Sequence, residues 1–298
     1  MSNLVLVLVC LLLGLLFQRL KQFPENAPAA LNAYVIYVAL PALILNEIPA
    51  LVIDHRVILP VVAAWTVMLF CALVIFYTAK YFSWSREVSG AMMLVVTLGN
   101  TGFVGIPMIE AHLGRDAIAY AILYDQFGTF IALNTYGIFV AGYYAGQQGK
   151  WSDLWINIIK FPPFIALLVG FILLWVGSPV WLQELLPRIS STLVPVVMVA
   201  VGLQWHFRIE RHYLVPLLVG IVYCLVLAPA FAWGLVWAFG VEGLVAKVIV
   251  LDAAMPAMIS AGVLAASYNL APRLASSLIG YSLMFSLVTV WLWRVLIG

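Results

Sequence analysis

Cut at its charged residues, this chain falls into a ladder of apolar runs, each close to the length a helix needs to cross a bilayer. Met1–Gln18, Asn26–Asn46, Val57–Ala79, Val88–Ile109, Phe161–Gln183, Ile189–Phe207, His212–Val241 and Leu274–Trp293 contain no Asp, Glu, Lys or Arg. Two further runs carry a single acid each, Ala117–Gly149 at Asp125 and Val248–Pro272 at Asp252. Roughly 20 apolar residues span the hydrocarbon core, so the pattern predicts ten transmembrane helices in an all-α membrane protein. A composition of 65% hydrophobic and 9% charged residues lies outside the range of soluble domains.

The first run reads as a helix and not as a cleaved leader. No basic residue precedes it, and it passes into Gln18, Arg19 and Lys21 without a small-residue cleavage site. With ten spans, one side of the membrane receives nine basic residues: Arg19, Lys21, Lys80, Arg86, Lys150, Lys160, Arg208, Arg211 and Arg273. The other receives five: Arg56, Arg115, Arg188, Lys247 and Arg294. The richer side is expected to be cytoplasmic, which puts both termini outside a multi-pass protein of the cell membrane.

A net charge of +2 and the lack of any basic run give no reason to expect nucleic acid. Cys10, Cys71 and Cys224 are isolated within spans and suggest small buried apolar residues. His55, His112, His206 and His212 lie near span ends or in loops, so no metal site is expected. No cofactor is expected either, and no nucleotide-binding motif points to ATP-driven transport.

Within the fourth run, Gly99-Asn100-Thr101-Gly102-Phe103-Val104-Gly105-Ile106-Pro107 occupies a place where unbroken helix would be expected. Each glycine costs roughly 1 kcal/mol of helix propensity, and the proline removes a donor and clashes with the preceding turn. In hydrocarbon, non-helical backbone survives only where protein covers it or a wet cavity receives it. The segment therefore marks a candidate site.

The polar stretch 147–157 divides the spans five and five, giving a first unit over 1–146, a connecting loop and a second unit over 158–298. An odd number of helices per half makes the second half enter from the opposite face, the arrangement of inverted-repeat transporters. Pro41 and Pro195 occupy the second and seventh spans. The break before Pro107 has a counterpart in Asp252-Ala253-Ala254-Met255-Pro256. Interrupted segments at matching positions of two halves point to a binding site. Their N-terminal ends suit a carboxylate, and their C-terminal carbonyls suit a proton donor or small cation.

The fourth-span motif resembles that of the auxin efflux carrier family, which includes plant auxin exporters and bacterial permeases for malonate and related acids. The resemblance runs along the whole chain: ten spans, a short central loop as in the bacterial members, and a ninth span with a proline that ends in Ser267-Tyr268-Asn269. It implies a fold similar to bile-acid sodium symporters, with a scaffold moving against a core built on two crossed, broken helices, the fourth and ninth. It further implies that Asn100, Thr101, Gly102 and Pro107 line the crossover from one side, and Met255, Pro256 and Ser260 from the other. The plant exporters' long hydrophilic loop is missing here, so auxin is a poor substrate guess.

Several residues carry two readings. Asn100 and Thr101 could bind substrate or simply satisfy backbone freed by the break. Asp252 could mark an ion pathway or lie at the interface beside Lys247. Asp125 could accept a coupling proton or pair with a neighbouring tyrosine; Gln126 and Asn134 share a face of its helix. Glu47, Glu110 and Glu184 close spans as solvated acids, with Glu110 also a coupling candidate because it follows Pro107 within a turn. Trp84, Trp151, Trp155 and Trp181 suit an aromatic belt. Gly137, Gly142 and Gly146 suggest close helix packing.

The expected function is alternating-access transport of a small organic anion such as malonate or another mono- or dicarboxylate. The expected partners are that anion, the lipid bilayer, a coupling proton in preference to sodium, and a homodimer as a candidate assembly. The rival readings are a membrane-embedded enzyme and a sensor or channel of the same fold.

Overall fold

The computed structural model describes residues 2–20, 23–24, 26–51, 57–146, 159–204 and 210–298. The loop 147–157, with Lys150, Trp151 and Trp155, and also His55, Arg56, His206, Arg208 and Lys21, lie outside the described residues.

Among the described residues every regular element is helical. In chain order these are α1 (Ser2–Phe17), α2 (Ala27–Ala50), α3 (Ile58–Tyr81), α4 (Arg86–Val95) and α5 (Ile106–Leu113). A helical run over 118–145 follows, from α6 (Ile118–Leu123) to α7 (Ile138–Ala145). The second half holds α8 (Pro162–Val176), α9 (Val180–Leu203), α10 (Arg211–Ala238), α11 (Gly243–Ala253), α12 (Ile259–Ser267) and α13 (Pro272–Leu296). Five of these, α2, α3, α9, α10 and α13, are long and apolar enough to cross a membrane alone. The chain is a multi-pass membrane protein.

One boundary differs from the charge pattern. The sixth run was expected to extend to Gln183, yet α8 stops at Val176 and α9 begins at Val180. Gly177 adopts φ +88°, which stops the helix, and Pro179 starts the next one. Glu184 and Arg188 therefore lie inside α9, on its exposed side. Lys247 likewise lies within α11 and not in a loop.

Helix packing in lipid relies on close backbone approach, because the tails outside are as apolar as the side chains inside. At the α1–α9 contact a Cβ added to Gly14 would lie 2.3 Å from the Val199 carbonyl oxygen, and one added to Gly202 would lie 2.4 Å from that of Leu11. Gln18 at the end of α1 donates to the carbonyls of Gly202 (3.0 Å) and Leu203 (2.8 Å), capping α9. The glycines expected to pack on the fifth span do less. Gly137 has only ordinary contacts, and Gly146 is a left-handed helix cap with open space around it. Cys10, Cys71 and Cys224 are buried free thiols.

Widened, π-type turns precede three prolines at one fixed offset. They cover Val35–Ala39 before Pro41, Thr101–Gly105 before Pro107, and Tyr223–Leu227 before Pro229. A proline inside a helix meets the carbonyl four residues back, and a turn that bonds five residues back gives the ring room. Two more π turns, Tyr124–Phe130 and Leu133–Gly137, contain no proline. There Asn134 and Thr135 bond back to the carbonyls of Phe130 (2.9 Å) and Ile131 (2.8 Å), a habit that bends helices.

Gly202→Val should destabilise the protein by about 3 kcal/mol, the upper part of the overpacking range, because backbone and not a side chain fills the space. Gly234→Val, where an added Cβ meets nothing within 4 Å, is the control. Thermal unfolding in detergent should rank Gly202→Val well below Gly234→Val and wild type.

Candidate functional site

Regular helix stops at Val95 and resumes, as a π turn, at Thr101; in the other half it stops at Ala253 and resumes at Ile259. The two interruptions meet as an isolated antiparallel bridge between Gly99 and Ala257. Asn100 N–H donates to the Pro256 carbonyl at 2.7 Å, and Met258 N–H donates to the Leu98 carbonyl at 2.9 Å. This approach does not require glycine at position 99, since an added Cβ would still keep 3.7 Å from Asp252 and Met255.

Side chains of the interruption itself and of other helices satisfy part of the remaining freed backbone. The Met93 carbonyl accepts from the Thr97 hydroxyl (2.5 Å) and the Tyr136 hydroxyl (2.9 Å). The Val96 carbonyl accepts from the Cys224 thiol at 3.5 Å. Ala257 N–H donates to Ser282 Oγ at 3.1 Å, and Phe103 N–H donates to Asn100 Oδ1 at 3.3 Å. Such pairing is obligatory where no water is at hand. Asn100 thus has the structural role expected of it. Ser282, Cys224 and Tyr136 carry no sequence signal for theirs, because each lies on a distant helix.

Both acids converge on the turn Thr101–Gly105. Asp125 is 4% exposed; its Oδ1 accepts from Thr101 Oγ1 at 2.6 Å and its Oδ2 from Gln126 Nε2 at 2.7 Å. Its partners are therefore a threonine and a glutamine, not a tyrosine. A Cβ at Gly102 would lie 3.1 Å from each Asp125 oxygen. Asp252 is 1% exposed, and neither carboxylate oxygen has a hydrogen-bond partner. The interface reading of Asp252 is corrected: Lys247 bonds to the Gly298 carbonyl instead. A Cβ at Gly105 would lie 2.9 Å from Asp252 Oδ1. Gly102 and Gly105, one turn apart, hence admit one carboxylate each.

Of the other expected residues, Met255 and Pro256 belong to the bridged segments, and Glu110 lies apart. Pro107, Met255 and Pro256 are buried, and Ser260 is half-buried at the start of α12 beside Ile259. Glu110 is half-buried at the far end of α5, where Arg115 pairs with Glu47 at 2.9 Å, away from the bridge. Asn134 is committed to its own helix. Thr129, missed in the sequence, lies 2.6 Å from Thr101 Oγ1. A cavity of about 20 Å³, room for one water, lies here. Its lining includes Asp252, Thr101, Thr129, Tyr124, Cys71 and Cys224. A larger cavity of about 700 Å³ between α3 and the α10–α11 turn is mostly apolar and contains none of the expected site residues.

A multi-pass helical protein whose two interrupted segments bond to each other around buried acids has the build of a membrane transport protein. The chain belongs to the membrane transport protein family, that of the auxin efflux carriers, which it matches over residues 1–150 and 151–294. It is 31% identical over 301 residues to an uncharacterized transporter of Methanothermobacter thermautotrophicus, covering 98% of this chain and 96% of the relative. It is 29% identical over 306 residues to another uncharacterized transporter, from Methanocaldococcus jannaschii, covering 98% and 97%.

The glycine clearances separate two substitutions of equal size. Gly99→Ala should fold and unfold like wild type. Gly105→Ala should lower thermal stability by about 2 kcal/mol, within the overpacking range, because a short buried carboxylate stands in the methyl's place. Equal melting temperatures for the two variants in detergent would contradict the geometry.

Proposed function

We propose that the chain is a secondary transporter of small organic anions, malonate or another mono- or dicarboxylate, working by alternating access at the paired interruptions. The observation that carries this reading is the bridge itself. It joins segments about half a chain apart, and each is the interrupted part of a longer apolar stretch. On this reading α4 and α5 form a fourth span, α11 and α12 a ninth, and ten spans divide into inverted units over 1–146 and 158–298. Reciprocal packing supports the repeat. α1 lies on α9 while α8 lies on α2, and α4 meets α12 while α5 meets α11.

The anion would sit where Gly99, Gly102, Phe103, Ile259 and Ser260 are half-buried while their neighbours are closed off. Backbone N–H groups at the start of Thr101–Gly105 and of α12 would face it, with Asn100 and Thr101 holding the turn in shape. Asp125 and Asp252 are the coupling candidates at the crossover, and Glu110 is a more remote one. The protein would reside in the cell membrane with both termini outside, following its basic loops. Membership of a transporter family favours this reading over an enzyme or sensor.

Purified protein in proteoliposomes should take up or release labelled malonate, pyruvate or lactate, and Asn100→Ala should reduce that flux at least tenfold while expression holds. If no acid in a broad carboxylate panel moves or binds, the organic-anion reading fails. A fully active Asn100→Ala variant would remove Asn100 from the site.

A further inference from the structure

We propose that Asp252 and Asp125 share one coupling proton through a wire made of a single water and the hydroxyls of Thr129 and Thr101. This deepens the transport reading above and rests on it for the meaning of the proton.

The direction of the wire follows from counting hydrogens. Thr101 has one hydroxyl hydrogen and donates it to Asp125 Oδ1 at 2.6 Å. The 2.6 Å contact between Thr101 and Thr129 must then be donated by Thr129. Thr129 is also 3.5 Å from the Tyr124 carbonyl, but with one hydrogen to give it serves the far shorter contact. A lone pair of Thr129 is left to accept a hydrogen from a water in the 20 Å³ cavity that Thr129 and Asp252 both line. Asp252 lines the same cavity, and neither of its carboxylate oxygens has a hydrogen-bond partner. With a water bridging Thr129 and Asp252, water, hydroxyl and hydroxyl would run head to tail from one carboxyl to the other.

Transfer along the wire balances simply. Asp252 gives its proton to the water, the water passes one to Thr129, Thr129 passes one to Thr101, and Thr101 passes one to Asp125. One O–H bond is lost at Asp252 and one is gained at Asp125, with the intermediates restored after their hydrogens turn.

The surroundings favour a proton over a metal ion. Besides Thr101 and Thr129, the cavity is lined by Thr97, whose hydroxyl is committed to Met93 and Tyr136, and by Tyr124, the thiols of Cys71 and Cys224, the thioethers of Met68 and Met255, and apolar groups. A hard cation seeks about six oxygens, and the carboxylate of Asp252 is the one charged donor lining this cavity. Among the described residues no Lys, Arg or His lines it, so none of them offsets two carboxylates there. Two carboxylates shut off from bulk water would share a proton, and the pair, not either residue, would then titrate.

The sign of coupling follows. An anion at the neighbouring half-helix ends is repelled by a doubly ionised pair and tolerated by a protonated one. Anion and proton therefore travel together, and anion affinity falls as pH rises, by up to about tenfold per pH unit for one proton.

Two measurements test this. Infrared difference spectra of the purified full chain in nanodiscs, recorded across pH without any anion, should show a protonated-carboxyl C=O band. That band should vanish in Asp252→Asn, shift in Thr129→Val, and return to its wild-type position in Thr129→Ser. Malonate binding to the same samples should weaken with rising pH in wild type and become independent of pH in Asp252→Asn. A band untouched by Asp252→Asn, or unmoved by Thr129→Val, overturns the wire. A pH-dependent affinity surviving in Asp252→Asn overturns the coupling. If no carboxylate binds at all, the organic-anion reading fails on its own, and the infrared bands still decide whether the acids share a proton.

Discussion

Every part of this structure answers to one constraint: a peptide group taken out of helix at membrane depth must find a partner inside the protein. The interruption at 96–100 frees carbonyls and amides that no lipid can satisfy. Its counterpart at 254–258 and the Cys224 thiol meet part of them, Thr97 and Tyr136 take the Met93 carbonyl at the end of α4, and Ser282 takes Ala257 N–H in the counterpart. Neither interruption is self-sufficient. Each completes the other's hydrogen bonding, so the halves of the chain are joined at the point where each would otherwise be weakest.

The same constraint explains the place of the acids. Space beside the turn Thr101–Gly105 is set by glycines, and hydrogens at Gly102 and Gly105 in place of methyls leave room there. Carboxylates from two different elements occupy that room. Asp125 comes from the π turn Tyr124–Phe130 and Asp252 from the last turn of α11. One is held by hydrogen bonds and the other is bare, although both are nearly inaccessible. The contrast between a satisfied and an unsatisfied acid, a turn apart, gives the site its chemical polarity.

Much of this was legible in the residues. Charge-free runs mark the apolar helices, five of which are long enough to cross a membrane alone, and the glycine-rich stretch before Pro107 marks where regular helix stops and resumes, because both effects are local. The partner at Pro256 is a fainter signal, resting on one proline and one acid. What could not be read is whatever depends on which helices lie side by side. Thr129 looks like any threonine in an apolar run, and Ser282 like any serine. Gly14 and Gly202 have no sequence relation that would reveal their contact. Lys247 was the nearest charge to Asp252 in sequence and looked like its partner. Burial and the fold of the chain end direct it to Gly298. The boundary at Gly177 was hidden because Glu184 and Arg188 are tolerated on an exposed helix face, where charge no longer marks an end.

The π turns ahead of Pro41, Pro107 and Pro229 have a consequence for how such chains vary. Those before Pro41 and Pro229 behave as one residue inserted into a regular helix, and that before Pro107 as one inserted between the interruption and α5; each turns everything beyond it by about 100°. Losing one residue from Thr101–Gly105 would leave the span nearly as long and as apolar, but would rotate Pro107, Glu110 and the rest of α5 onto different neighbours. Helix faces here are set by a phase slip as much as by hydrophobic pattern. Aligning such sequences with a gap of a single residue at these turns would therefore be a change of orientation and not of length.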